Sequence, residues 1–188
     1  MDHDLDAPSL WVRRWAALIS GAAGGAVLDL ACGRGRHARH LAALGYAVTA
    51  VDRDAGALAS LEGVRGVHTL CADLEAGSWP LAQRRFAGIV VTHYLHRPLF
   101  PRLLEALDTG GVLIYETFAR GNEDYGRPSN PDYLLRPGEL LEAFGSLLTV
   151  VGFEQGRVNV PKQAVVQRLC AVSALAAGDV VLDAPASG

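Results

Sequence analysis

Cysteine is scarce in this 188-residue chain and odd in number, and Cys32, Cys71 and Cys170 stand far apart, each within an apolar run. So scattered a set makes a poor disulfide framework, and each thiol is expected to pack as a small buried hydrophobe in a reducing compartment. No two have the spacing of zinc ligands, and no metal is expected. Positive charge is not in excess either. Seventeen Lys and Arg against twenty Asp and Glu leave a formal net charge of −3, too little to neutralise a phosphate backbone, so DNA and large RNA are disfavoured as partners. Long apolar runs are missing as well: none approaches the roughly 20 residues of a membrane span. The polar start Met1-Asp2-His3-Asp4 does not resemble a secretory leader. A cytoplasmic protein away from the membrane is expected.

About half of the residues are apolar, enough for one core, and a single domain is expected over residues 1–173. The small residues of 174–188 offer few anchors and predict a poorly ordered tail. Within the domain, short apolar runs alternate with segments of helical period, the pattern of an α/β fold with a mostly parallel sheet covered on both faces. The strand candidates are Ala26–Ala31, Ala47–Asp52, Val67–Ala72, Phe86–Thr92, Val112–Phe118, Leu147–Glu154 and Ala164–Ser173. A helix is expected over Ser9–Ser20, where Trp11, Trp15, Leu18 and Ile19 make one stripe. Another carries Ala38, Leu41 and Ala42 and stops near Gly45. Asp54 can cap a third with Leu58 and Leu61, Pro101 opens a fourth with Leu103, Leu104 and Leu107 inward, and a fifth runs from Pro137 to Phe144. The last two strands have about nine residues between them, too few for a crossover helix, so they should close the sheet as an antiparallel hairpin.

The strongest motif is Val27-Leu28-Asp29-Leu30-Ala31-Cys32-Gly33-Arg34-Gly35-Arg36-His37, an apolar strand running through a Gly-containing turn into a helix. Gly33 and Gly35 let the backbone bend and approach a ligand, and the helix start beyond them favours a negative group. Arg36 and His37 at that start divide between ligand contact and surface, while Arg39 and His40 read as a solvated face. The second strand ends at Asp52, 19 residues after Gly33 and beside Arg53, the place of a carboxylate that holds ribose hydroxyls. The third ends at Asp73-Leu74, where the carboxylate and the Leu74 amide suit an adenine edge. Three successive strand ends thus bring polar groups to one rim of the sheet.

This ordered series resembles the Class I S-adenosylmethionine-dependent methyltransferases, and among them the small bacterial tellurite-resistance-like and general methyltransferase-domain groups. The resemblance runs from about Trp11 to Ser173. It implies a doubly wound, Rossmann-like seven-stranded sheet in the order 3-2-1-4-5-7-6, with S-adenosylmethionine as cofactor and S-adenosylhomocysteine as product. It also implies that Asp29, Gly33 and Gly35 lie along the methionine and ribose side, that Asp52 holds the ribose, and that Asp73 with Leu74 holds the adenine. Ala31 stands where such families often have the first glycine of the motif, and alanine does not easily take positive φ.

The fourth strand leads into Thr92-His93-Tyr94, the expected lining of the reaction centre, where His93 or Tyr94 could take a proton from an acceptor. His96 and Arg97 either touch substrate or terminate the strand. The fifth strand delivers Glu116-Thr117-Phe118 into a Gly-, Asn- and Pro-rich stretch over 119–134, long enough for a lid or binding loop. Similar enzymes carry a matching segment, which implies that Glu116, Tyr125 and Asn130 face the acceptor. That acceptor is a small molecule: a thiol, a metalloid oxyanion or a hydroxylated metabolite. With no Asn-Pro-Pro-Tyr after the fourth strand, planar amide and adenine nitrogens are disfavoured. Two alternatives stay open. Gly33, Gly35, Ala38 and Asp52 also satisfy a nicotinamide-binding pattern, so an NAD-dependent oxidoreductase competes, as does a module that binds S-adenosylmethionine without catalysis.

Overall fold

The computed structural model describes residues 7–19 and 25–173. Seven strands form one sheet: β1 (Ala26–Leu30), β2 (Ala47–Asp52), β3 (Val67–Cys71), β4 (Phe86–Thr92), β5 (Leu107–Phe118), β6 (Thr149–Val158) and β7 (Ala164–Val172). They lie in the order β3-β2-β1-β4-β5-β7-β6, the order expected. Strands β1 to β5 pair in parallel, and β7 runs antiparallel to both β5 and β6. The central strands are buried on both faces, which is why they read as unbroken apolar runs.

Successive side chains on a strand point to opposite faces, so alternate residues feed two cores. Leu28, Ile89, Leu113 and Leu169 pack with helices α4 (Phe100–Ala106) and α5 (Glu139–Phe144). On the other face Val27, Val90, Ile114 and Cys170 pack with α1 (Leu10–Trp15), α2 (Arg36–Ala43) and α3 (Ala55–Ala59). Ser9 caps α1 by accepting from the Trp11 amide, and Asp54 caps α3 by accepting from Ala57. The Trp11 indole N–H donates to the Leu169 carbonyl at 3.2 Å, fastening α1 to the last strand.

Several expectations need correction. Strand β5 begins at Leu107 rather than Val112, because Leu107 already pairs with Phe86 before a register shift near Gly88. The hairpin link is shorter than expected, since β6 continues to Val158 opposite Ala164. Cys71 is exposed, unlike Cys32 and Cys170, because β3 is an edge strand with three of its five residues facing water. The end of the first predicted helix at Ser20 and the tail over 174–188 lie outside the described residues. No described helix is long and apolar enough to cross a membrane.

Gly35 serves packing rather than ligand approach. It is the N-cap of α2 at φ 76°, and a Cβ there would lie 2.5 Å from Leu61 Cδ1. Gly35→Ala combines a left-handed φ, worth about 1–2 kcal/mol, with an overlap that Leu61 can partly relieve. A loss of about 2–3 kcal/mol is expected as a lower urea midpoint with unchanged slope.

Candidate functional site

The C-terminal ends of β1, β2, β3 and β4 open onto one groove with two lobes. The first, 340 Å³, is lined by Cys32, Gly33, Arg36, His37 and Thr92 among others. The second, 280 Å³, is lined by Asp52, Arg53, Asp73, Leu74 and Tyr94 among others. Ala31 and His93 border both lobes. Most of the cofactor-side residues named from the sequence are therefore brought to one rim.

The turn after β1 is held in place by the end of β2. Asp52 Oδ2 accepts from the Gly33 amide at 2.7 Å and Oδ1 accepts from the Asp54 amide at 3.0 Å. Each carboxylate oxygen has two acceptor sites, which leaves capacity on both for ligand hydroxyls. Ala31 adopts φ 52°, so the expected resistance of alanine to positive φ is overruled by the turn, at a cost of about 1–2 kcal/mol. A Cβ on Gly33 would meet nothing within 4 Å, and Gly33 rather than Gly35 is the glycine with open space beside it.

Asp29 is buried at 1% exposure between β1 and the start of α2. The Ala38 amide donates to its carboxylate, so this first-turn N–H of α2 is already used. Its Oδ2 has no partner among the described residues. Burial, far outweighing the opposing Ala38 amide and Arg36 charge, pushes its pKa from 3.8 up to about 7.

His37 is buried, not part of a solvated face. The Ser9 amide donates to its Nε2 at 3.1 Å, so the ring proton sits on Nδ1 and is offered to Thr92 Oγ1 at 3.2 Å. Burial, with the charges of Arg36, His93 and His40, lowers the His37 pKa to about 3 and keeps the ring neutral. The Thr92 hydroxyl, with its oxygen occupied, keeps its own proton to donate. Arg39 is exposed yet engaged, donating to the carbonyls of Arg34 and Ser60. His40 is half-buried with its Nε2 enclosed. The expected solvated face is thus tied down at Arg39 and partly covered at His40.

His93 sits at φ 53° just past β4, its amide donating to the Glu116 carbonyl at 2.9 Å and its ring stacked on Phe118 with centroids 4.8 Å apart. An Arg36 guanidinium nitrogen lies 3.5 Å from Nδ1. Arginine can only donate, so the imidazole proton belongs on Nε2. Burial lowers the His93 pKa, Arg36, Lys162 and Arg168 lower it further, and only Glu116 opposes them. Tyr94 is pushed up by burial and by the nearby Glu75 and Asp73 carboxylates, against Arg53. As arranged, His93 Nδ1 faces a donor and the Tyr94 hydroxyl is held in its protonated form, which argues against either as the base.

A third cavity, 210 Å³, opens on the other side of His93 and Tyr94 and is lined by Glu75, Phe118, Pro128 and Tyr133 among others. None of these four was singled out from the sequence as a site residue. Phe118, Pro128 and Tyr133 lie within segments that were flagged; Glu75 carries no motif signal. A larger hollow of 730 Å³, bordered by Trp79, His96 and Arg102, adjoins the groove through Leu74 and Glu75. His96 lines that hollow and neither lobe of the groove.

Of the residues expected at the acceptor, Arg97, Glu116 and Asn130 are engaged within the fold, and Tyr125 lies on the surface. Arg97 donates to both oxygens of Glu139, at 2.5 and 3.1 Å, and to the carbonyls of Asp132 and Leu134. Glu116 is buried and paired with Arg168 at 2.5 Å. Asn130 caps a short turn by accepting from Asp132. Tyr125 is exposed, its hydroxyl 3.5 Å from Arg157. The stretch over 119–134 is accordingly pinned: buried Asn122 donates to the Pro128 carbonyl and accepts from the Val165 amide.

Residues 27–111 match the family model described as a methyltransferase domain. The fold is shared with TehB from Haemophilus influenzae, at 21% identity over 84% of this chain and a TM-score of 0.70. This chain covers 59% of that protein's length. A TehB-like SAM-dependent methyltransferase from Corynebacterium glutamicum is similar at 16% identity over 88% of this chain and 89% of that one, with a TM-score of 0.62. A SAM-dependent methyltransferase from Methanosarcina mazei matches at 15% identity over 82% and 94%, with a TM-score of 0.64. At these identities the likeness is one of fold. No curated protein sequence matches the chain.

Proposed function

We propose that this chain, a class I S-adenosylmethionine-dependent methyltransferase by its domain match and sheet order, passes the sulfonium methyl to a small-molecule acceptor lodged against His93 and Tyr94. The observation that carries this reading is the two-lobed groove meeting at Ala31 and His93. Its ends suit the two ends of the cofactor. The unpartnered Asp29 Oδ2 fits an ammonium near the first lobe, and Asp52 with Asp73 fits ribose and adenine in the second. Bound there, the cofactor supplies a methyl already activated by its positive sulfur.

The chain's own work is then to hold and to exclude. Asp52 fixes the turn through the Gly33 amide while keeping acceptor sites for hydroxyls. Thr92 and His93 offer hydrogen-bond donors where the lobes meet, and Tyr94 closes the far side. Holding the acceptor in near-attack geometry can lower the barrier by about 7–11 kcal/mol without covalent help from a side chain. Among the acceptors left open by the sequence, a metalloid oxyanion suits the third cavity least, because Glu75 lines it and no Lys or Arg among the described residues does.

Isothermal titration with S-adenosylmethionine, S-adenosylhomocysteine and NAD tests the reading. Binding of both adenosyl ligands is expected; tight NAD binding with no response to them would overturn it. Asp52→Ala removes charged acceptors worth about 1.5–3 kcal/mol, so the S-adenosylmethionine Kd should rise roughly 10- to 100-fold in the same titration.

A further inference from the structure

Resting on the methyltransferase reading, we propose that the acceptor site takes small primary or secondary amines, which enter the 210 Å³ cavity as ammonium ions held by Glu75 against aromatic walls. Tyr94, Phe118 and Tyr133 line the cavity together with Leu95 and Pro128. Cations are attracted to such rings. Among the described residues that line it, Glu75 is the one acidic side chain and there is no Lys or Arg, while burial and Arg36 lower the pKa of His93. A carboxylate with rings and no cation in the lining selects a positive guest and repels a thiolate or an oxyanion.

The neighbouring charges leave that selection intact. Arg53 and Asp73 lie on the groove side of Tyr94. Arg36 belongs to the cofactor lobe, and Arg168 is paired with Glu116 and Glu154. Lys162 acts on His93 and does not line the cavity. Glu75 also borders the groove, so it stands where acceptor and donor compartments meet. The carboxylate holds the ammonium in place, and the amine reacts after that ammonium has lost a proton to water. The freed nitrogen lone pair then forms the N–C bond as the methyl carbon–sulfur bond breaks, its electron pair passing to sulfur. The product leaves as a methylated ammonium. A basic amine has its lone pair free once deprotonated, and needs no clamp of the kind that planar amides require.

The test uses the full chain and shape-matched probes. S-adenosylmethionine titration comes first, and failure there would overturn the methyltransferase reading itself. Given binding, the S-adenosylhomocysteine-loaded protein is titrated with benzyltrimethylammonium and with benzoate, and methyl transfer is assayed with benzylamine, benzyl mercaptan and benzyl alcohol. The cation should bind at least tenfold more tightly than benzoate, and Glu75→Gln should abolish that preference. Any turnover should favour benzylamine, with its KM raised at least tenfold in Glu75→Gln. Equal or reversed binding of the two ions, a preference for the mercaptan or alcohol, or an indifferent Glu75→Gln variant would each overturn the proposal while leaving cofactor binding intact.

Discussion

Asp29→Asn is expected to make the ligand-free protein more stable at pH 8, by up to about 4 kcal/mol, and to change it much less at pH 5. The carboxyl is buried, and its pKa rises from 3.8 to about 7 on folding. Below about pH 4 it is protonated in both states and costs nothing. Between about pH 4 and 7 the unfolded chain has released this proton while the folded one retains it, so stability falls as pH rises, by about 1.4 kcal/mol per pH unit. Above about 7 the penalty is constant. Asparagine keeps an oxygen for the Ala38 amide and does not titrate, so it escapes the loss. Urea unfolding of both proteins from pH 4 to 8 measures the difference directly. Parallel curves with no widening gap would show that the folded protein does not hold a proton on Asp29.

Arg168→Met is expected to cost about 3–5 kcal/mol, a large part of the 5–15 kcal/mol that holds a typical domain together. Glu116 and Arg168 are direct cross-strand neighbours on β5 and β7, and their side chains are 5% and 18% exposed. Removing the guanidinium leaves the buried carboxylate without its counter-ion. Adding Glu116→Gln to the same protein should restore most of the loss, since a neutral pair at such a site is often as good as an ionic one. Urea midpoints for the two single variants and the double variant decide the matter: a double variant no better than Arg168→Met would mean that packing of the arginine stem, not charge, is what counts.

The parallel sheet and its closing hairpin were legible because each central strand is an apolar run buried on both faces and the last connection is too short for a crossover helix, while the strand order came with the family resemblance. The cofactor rim was legible for a similar reason: Asp52 and Asp73 stand at strand ends, and strand ends of a parallel sheet share one edge. The acceptor side was not. Glu116 lies in a well-read strand, yet its partner Arg168 is 52 residues away. Arg97 meets Glu139 across 42 residues. Nothing in one sequence distinguishes a polar residue waiting for a ligand from one already taken by a distant part of the chain. Ala31 shows the converse limit. Its left-handed φ is imposed by the turn that Asp52 anchors at Gly33, and local propensity alone argued against it.

The tie from the Trp11 indole to Leu169 spans 158 residues. On a ribosome the first helix emerges well before the strand that receives it, so Trp11 and Trp15 remain without their final partners until nearly the whole described chain has been made. Through that interval they form an apolar patch open to chaperones or to neighbouring nascent chains. Shielding of these two indoles, followed by tryptophan fluorescence on stalled chains of increasing length, should come as one late step once β7 has cleared the exit tunnel.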